Sequence, residues 1–126
     1  MLITFLQVPL LYIIFFILDT YIIININLKF EKEVVKSDVP VLAYFYLPSC
    51  AKCVVMMSAA EGLERQNENN LKLAKMNIST TQGLAKNLDV RTAPTFLIYK
   101  DGKEIRRFYG DNLSIDRMED FIQNLT

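Results

Sequence analysis

The chain has 126 residues, which suits a single domain with one hydrophobic core. Its 14 lysines and arginines balance its 14 aspartates and glutamates, so net charge offers no electrostatic basis for binding nucleic acid. With two cysteines and no histidine, the chain lacks the ligands of a complete zinc site. We therefore expect neither a nucleic-acid partner nor a bound metal.

The first segment, residues 1–18, carries no charged side chain and consists mostly of Leu, Ile, Phe, Val and Tyr. Its length matches a short membrane span of about 18 to 20 residues. It lacks a basic leading region and a small-residue cleavage pattern before Asp19, which favours an uncleaved anchor. The alternatives are an export signal, an upstream misassigned start and an extra buried helix. The flanking charges are too balanced to orient the segment across a membrane.

Residues 41–47 are rich in side chains that favour strands, and Pro48 blocks continuation of that strand. The two cysteines follow as Cys50-Ala-Lys-Cys53. The proline-free run Ala51–Gln66 then predicts a helix. Its apolar spacing predicts a buried face formed by Val54, Met57 and Leu63.

This arrangement places Cys50 at a helix N-terminus, where unpaired backbone amides and the helix dipole stabilise a thiolate. Cys53, one turn further along, is expected to be shielded. The spacing therefore predicts Cys50 as the nucleophile and Cys53 as the second, resolving thiol. Half of a zinc site or two inert buried cysteines would give the same pattern. The absence of histidine weighs against zinc within one chain, and the polar neighbours Ser49 and Lys52 favour an exposed position. A zinc ion shared between two chains stays open.

A short helix is predicted after residue 78. The sequence Ser79-Thr-Thr-Gln82 has the pattern of a capping box, with Gln82 reaching back to the Ser79 amide. The helix is expected to run to about Leu88 and to separate two strands.

The C-terminal part predicts a hairpin followed by a helix. Residues 95–99 and 103–108 flank Asp101-Gly102, a pair that tolerates the positive φ of a tight turn. Ser114 can cap a last helix. One face of that helix carries a stripe expected to pack in the core: Ile115, Met118, Phe121, Ile122 and Leu125.

Strands and helices alternate first, and a hairpin and a helix follow. This order predicts an α/β domain with a central mixed β-sheet and helices on both faces. We divide the chain into a hydrophobic N-terminal segment, residues 1–20, and a globular domain, residues 21–126.

Several separated motifs occur in a definite order around Cys50 and Cys53. Asn27-Leu-Lys-Phe30 and the residues up to 42 precede them, and Leu73-Ala-Lys75-Met-Asn77-Ile follows. Further on stand Thr92-Ala93-Pro94-Thr, within residues 88–102, and Gly110 after the last strand. Together these motifs resemble the thioredoxin family from about Tyr21 to the C-terminus. In that family they correspond to the first strand and helix, the third strand, the cis-proline segment and a glycine near the substrate groove.

The resemblance implies the thioredoxin fold and a thiol–disulfide oxidoreductase that acts in cell redox homeostasis. The Cys50–Cys53 dithiol would itself be the redox centre, without another cofactor. Its partners would be protein disulfides or dithiols and a thiol reductase or membrane electron donor. Pro94, by similarity a cis-proline against the dithiol, would leave the backbone of Ala93 free to pair with a substrate peptide, in a groove shared with Thr92 and Gly110.

Three residues near the dithiol either depart from the family pattern or are expected to modulate the reactivity of the dithiol. Tyr44 stands where the family has a buried aspartate that relays protons to the second cysteine. Lys75 matches the lysine that accompanies this aspartate, and it either has a structural role or points to solvent. Lys52, beside the thiolate, together with the missing carboxylate is expected to lower the pKa of Cys50. This predicts a reduction potential above the roughly −270 mV of thioredoxin itself.

A binding module is the alternative function. In that reading the fold docks a partner through the Pro94 groove, and its dithiol reacts slowly because Tyr44 and Ser49 replace functional residues. For localisation we predict a membrane-anchored protein, with a cytoplasmic protein as the alternative.

Overall fold

The computed structural model describes residues 9–125 of the chain. Residues 1–8 of the predicted hydrophobic segment and Thr126 lie outside the described residues. Helix α1 (Leu10–Phe30) follows Pro9 and continues without a break into a π-helical turn at Glu31–Val35. It therefore crosses the expected boundary between residues 20 and 21.

The expected strand and separate first helix within residues 27–42 are wrong. The chain is helical through Val35, and no strand precedes Val41 among residues 9–125. No proline or glycine interrupts the sequence between Leu10 and Val35, and apolar side chains surround the N-terminal part of α1 on all sides. A segment of this kind satisfies its backbone hydrogen bonds within one helix and needs no neighbouring strand.

The sheet has four strands in the order β2-β1-β3-β4. They are β1 (Val41–Tyr46), β2 (Lys72–Asn77), β3 (Thr95–Lys100) and β4 (Lys103–Tyr109). Strands β1 and β2 are parallel, whereas β3 is antiparallel to both β1 and β4. The predicted hairpin is confirmed, since Asp101 and Gly102 form the β3–β4 turn with φ of 53° and 80°.

Helices cover both faces of this mixed sheet, as predicted. They are α2 (Ala51–Gln66), α3 (Gln82–Asn87) and α4 (Ile115–Gln123). On one face, Leu42, Tyr44 and Phe96 pack with residues of α2 and α4. On the other face, Phe45 and Leu97 pack with residues of α3 and the end of α1. Alternate residues of β1 thus enter opposite cores, as the two-residue period of a strand requires.

The buried face of α2 differs from the predicted one. Leu63 is buried, but Val54 is 65% exposed and Met57 lies at the core margin. The residues that face the sheet are instead Cys53, Met56, Ala60 and Leu63. Because Cys53 points inward, the helical period turns Val54 away to solvent.

The start of α3 also differs, whereas its extent agrees with the prediction. Ser79 lies in a 3₁₀ turn (Ile78–Thr80), and its amide donates to Asn77 Oδ1 at 3.0 Å rather than to Gln82. The capping box is therefore wrong: Asn77, at the end of β2, takes over this amide locally. Helix α4 does begin as predicted, with Ser114 Oγ accepting the Arg117 amide at 3.4 Å. Its stripe is buried at Met118 and Ile122, while Ile115 is exposed.

Candidate active site

Cys50 and Cys53 lie where the loop after β1 leads into α2. Cys50 is the N-cap residue of α2, with extended backbone, and its Sγ accepts the Cys53 amide at 3.1 Å. The two residues form a disulfide, with their Cα atoms 5.2 Å apart. Cys50 is partly buried, whereas Cys53 is only 2% exposed. The pair therefore combines one partly buried cysteine at a helix N-terminus with one almost fully buried cysteine in the first turn.

The segment before β3 lies directly against this pair. The Ala93–Pro94 peptide bond is cis, and Ala93 O lies 4.0 Å from Cys50 Sγ. The carbonyl of Thr92 accepts a hydrogen bond from Thr95 Oγ1 at 2.7 Å, which fixes this segment to the first residue of β3. Backbone groups of residues 92–94 are thus held beside the Cys50 sulfur.

Gly110 lies at the same end of the sheet. Tyr109, the last residue of β4, is the register partner of Thr95, and Gly110 follows it with φ of 55°. The sheet therefore places Gly110 at the same end as the segment around Pro94, and this segment lies against Cys50.

Tyr44 lies beneath the dithiol and is fully buried. Its hydroxyl donates to Cys53 O at 2.5 Å, and its ring stacks on Phe96 with the centroids 4.4 Å apart. Burial raises the pKa of Tyr44 to about 12, with a smaller contribution from Tyr46. Tyr44 is therefore a neutral hydrogen-bond donor to the backbone of the second cysteine at physiological pH, where a carboxylate could accept a proton.

The two lysines of the predicted site differ in their surroundings. Lys75, on β2, is the register partner of Tyr44, and its Nζ lies 3.3 Å from Glu61 Oε1 on α2. Both side chains of this ion pair are almost half exposed, so it contributes little to stability. Lys52 lies exposed in the first turn of α2, next to Cys53 in sequence.

Arg107 is a positioning residue that the sequence did not reveal. Its guanidinium donates to Leu88 O at 2.7 Å and to Asp89 O at 2.9 Å, just before the segment that contains Pro94. Glu104 accepts two further bonds from it and raises the pKa of Arg107. The bonds to Leu88 O and Asp89 O join residues far apart in the chain, so no local pattern indicates them.

The described residues offer no preformed metal site. Among residues 9–125, no group of three or more Cys, Asp or Glu side chains is placed to hold a metal ion.

Comparison with known proteins places this geometry in context. A protein-family model described as Thioredoxin matches residues 22–124. Thioredoxin 1 of Nostoc is 32% identical over 81 residues, which are 64% of this chain and 76% of that protein. The thioredoxin of Rickettsia bellii is 33% identical over 76 residues, 60% of this chain and 72% of that protein. The thioredoxin of Mycobacterium tuberculosis is 30% identical over 82 residues, 65% of this chain and 71% of that protein.

Proposed function

Because the chain belongs to the thioredoxin family and is a thiol–disulfide oxidoreductase, we propose that Cys50 is its attacking nucleophile and Cys53 its resolving thiol. One observation supports this division above all. Cys50 Sγ is the N-cap sulfur and accepts the Cys53 amide, whereas Cys53 is buried. A sulfur in that position is stabilised as a thiolate by the amide and by the helix dipole.

The reaction consists of two exchanges. In the first, the Cys50 thiolate forms a bond to one sulfur of a substrate disulfide, and the other substrate sulfur leaves as a thiolate that takes up a proton. In the second, Cys53 loses its proton and attacks Cys50 Sγ, and the first substrate sulfur leaves. The substrate disulfide has then gained two electrons and two protons, and Cys50 and Cys53 are joined. The reverse sequence oxidises a substrate dithiol.

Trapping the intermediate tests this assignment. Replacing Cys53 with serine removes the resolving thiol, so the full chain should accumulate mixed disulfides with a disulfide-containing protein such as insulin. Non-reducing electrophoresis detects them, and dithiothreitol should release them. Cys50→Ser is the matched control and should form none. Partners that stay bound without a covalent link in both variants would contradict the assignment and favour the binding module.

We extend the proposal to the substrate groove. The cis segment beside Cys50 presents the Ala93 carbonyl toward the sulfur, which supports pairing of an extended substrate backbone with Thr92, Ala93 and Pro94. An added Cβ at Gly110 would meet no atom within 4 Å, which supports an open groove at this end of the sheet. Because Gly110 has φ of 55°, a conformation that asparagine tolerates, Gly110→Asn should raise the KM for protein disulfides and leave the reaction with small disulfides unchanged. Equal effects on both substrates would contradict a groove at this position.

In our proposal, the reduction potential of the dithiol depends on Lys52 and Tyr44. Lys52 adds a positive charge close to the thiolate, and Tyr44 replaces a carboxylate beneath it, so both changes favour the reduced form. Equilibrating the full chain in glutathione buffers and trapping free thiols should give a potential above roughly −270 mV. A value near that of thioredoxin would show that neither residue resets the site. Lys75, paired with Glu61, is proposed to act only by holding α2 against β2.

We also propose that α1 anchors the protein in a membrane. The helical stretch of 26 residues from Leu10 to Val35 is long and apolar enough to cross a bilayer by length and composition. In its apolar stretch of 18 residues, 0% of the residues are buried inside the protein. Side chains such as Phe16 and Ile17 are 67% and 59% exposed to solvent. A core helix would bury these groups, whereas a bilayer removes them from water.

Fractionation tests the anchor. The full chain should stay in the membrane pellet after alkaline carbonate extraction, and a variant without residues 1–20 should leave it. The mass of the mature protein should equal that of the uncleaved chain. A shorter mature protein would identify an export signal instead, and extraction of the full chain by carbonate would contradict the anchor.

A further inference from the structure

The direction in which α1 leaves the domain follows from its contacts with β2. Just after the C-terminal end of α1, Glu33 of the π-helical turn contacts the start of β2. Lys72 donates to Glu33 O at 3.0 Å and pairs with the Glu33 carboxylate. Closer to the N-terminus of α1, Ile22 and Ile26 line the groove along β2, and α1 contacts α3, which follows the Asn77 end of β2. The helical path from Glu33 to Ile22 covers about 16 Å, and the strand from Lys72 to Asn77 covers about 17 Å. Helix α1 therefore runs antiparallel to β2.

The dithiol lies at the end of the sheet toward which the N-terminus of α1 points. Tyr46, the last residue of β1, is the parallel register partner of Asn77. Cys50 follows Tyr46 after a short loop, and Ala93, just before β3, lies 4.0 Å from its sulfur. We call this end of the sheet, with Cys50 and residues 92–94, the dithiol edge. The N-terminal half of α1 projects beyond the domain at the dithiol edge.

The uninterrupted apolar run of residues 10–18 begins almost level with this edge, and Ile22, Ile23 and Ile24, on the domain side of Asp19, are exposed apolar residues as well. Asp19 is separated from Ile22 by about 5 Å along the helix axis. Asp19 and Tyr21 are residues that suit a membrane–water interface, and apolar side chains follow toward Leu10. No proline or glycine interrupts α1, so it lacks the residues that most often kink a helix sharply.

From this geometry we infer that the dithiol edge faces the bilayer in which α1 is anchored, and that the substrates are cysteine pairs of membrane proteins held close to the bilayer surface. The inference rests on the anchor proposed above. A helix that continues straight from the membrane into the domain fixes the height and direction of the dithiol. Proteins that diffuse in bulk water would meet the opposite end of the domain first.

The surface of the dithiol edge agrees with such a partner. Outside α1, the described residues expose few large hydrophobic side chains. Val54 and Val55, each 65% exposed, lie in the first turns of α2 beside the dithiol, and Tyr109, 50% exposed, lies next to Gly110. Lys52 adds an exposed cation. Apolar groups with a cation suit a client segment at the level of lipid head groups.

A lipid-borne probe tests the orientation. The full-length Cys53→Ser chain is placed in phosphatidylcholine vesicles that contain phosphatidylethanolamine with a pyridyl disulfide on its head group. Cys50 forms a disulfide with the lipid, and pyridine-2-thione leaves and is measured by absorbance. The matched control carries Lys103→Cys in a Cys50→Ser, Cys53→Ser chain, which places its thiol at the start of β4, at the opposite end of the sheet. Each rate is divided by the rate of the same protein with a soluble pyridyl disulfide in detergent.

The normalised rate with the lipid probe should be at least tenfold higher for Cys50 than for the control thiol. A flexible Gly/Ser linker inserted between Thr20 and Tyr21 should abolish this difference. Equal rates, a faster control, or a difference that survives the linker would overturn the inference.

The proposals on which the inference depends fail in distinguishable ways. Carbonate extraction of the full chain would overturn the anchor and this inference while leaving thiol exchange intact. Failure of Cys50 to react with the soluble probe in detergent would overturn its role as nucleophile and, with it, the assignment of these substrates.

Discussion

Replacing Tyr44 with phenylalanine removes a single hydroxyl from the core beneath the dithiol. That hydroxyl donates to Cys53 O at 2.5 Å, whereas the stack on Phe96 involves only the ring, which phenylalanine keeps. The change therefore isolates one buried hydrogen bond. We expect the free energy of unfolding at pH 7 to fall by about 1 kcal/mol, the usual net contribution of a neutral hydrogen bond. Tyr44→Ala, which also removes the ring, should cost about 3–5 kcal/mol.

The pH dependence of this difference provides a second signature. Burial raises the pKa of Tyr44 from its ordinary 10.0 to about 12. Between these values the unfolded chain has lost the proton while the folded chain still holds it, so the unfolded state binds fewer protons and stability falls as pH rises. Below pH 10 the contribution is fully present. Tyr44→Phe lacks this titration, so its disadvantage relative to the wild type should shrink between pH 10 and 12.

Urea denaturation of the oxidised full chain in mild detergent, followed by circular dichroism, measures both effects. Tyr46→Phe is the matched control, because Tyr46 is only partly buried and its ring lies 5.7 Å from that of Tyr44. Its stability should stay within about 0.5 kcal/mol of the wild type. A Tyr44→Phe protein as stable as the wild type at pH 7, or one whose stability falls in parallel with it above pH 10, would refute the reasoning.

Four further changes test local features of the fold and the site. Glu64 Oε2 accepts the Leu73 amide at 2.7 Å, so Glu64→Ala should lower the unfolding free energy by about 1–3 kcal/mol, measured by urea denaturation. Gly102 has φ of +80°, and an added Cβ would lie 3.3 Å from a backbone carbonyl oxygen. Gly102→Ala should therefore lower the melting temperature. Gly83 lies in open space on a helix, so Gly83→Ala should raise the melting temperature by increasing the free energy of unfolding by about 0.5–1 kcal/mol. Lys52→Glu should lower the reduction potential by roughly 20 mV in glutathione buffers, and an unchanged potential would exclude an effect of this charge.

The sequence predicted most of the elements that build the site, because their signals are local. Pro48 ends the β1 segment, the run after it has no helix breaker, and Asp101-Gly102 supplies the positive φ of the hairpin turn. Such features depend on the backbone preferences of a few neighbouring residues. The mixed sheet and the position of Cys50 at a helix N-terminus follow from them.

The predictions failed where neighbouring elements competed for the same groups. Asn77 takes the Ser79 amide that a capping box would have used, and the inward direction of Cys53 turns Val54 to solvent. Residues 27–35 continue the preceding apolar helix instead of forming a strand. In each case a competing arrangement of the same residues satisfied the backbone or the core better than the predicted one.

The sequence by itself determined where the two thiols stand, because two cysteines three positions apart at a helix start can be recognised without any distant contact. Only the tertiary structure decided what surrounds and orients those thiols. The bond from Tyr44 to Cys53, the approach of Ala93 to Cys50 and the direction of α1 all depend on how strands and helices pack. Packing brings together residues that are far apart in the chain, and hydrophobic periodicity alone does not specify which of them meet.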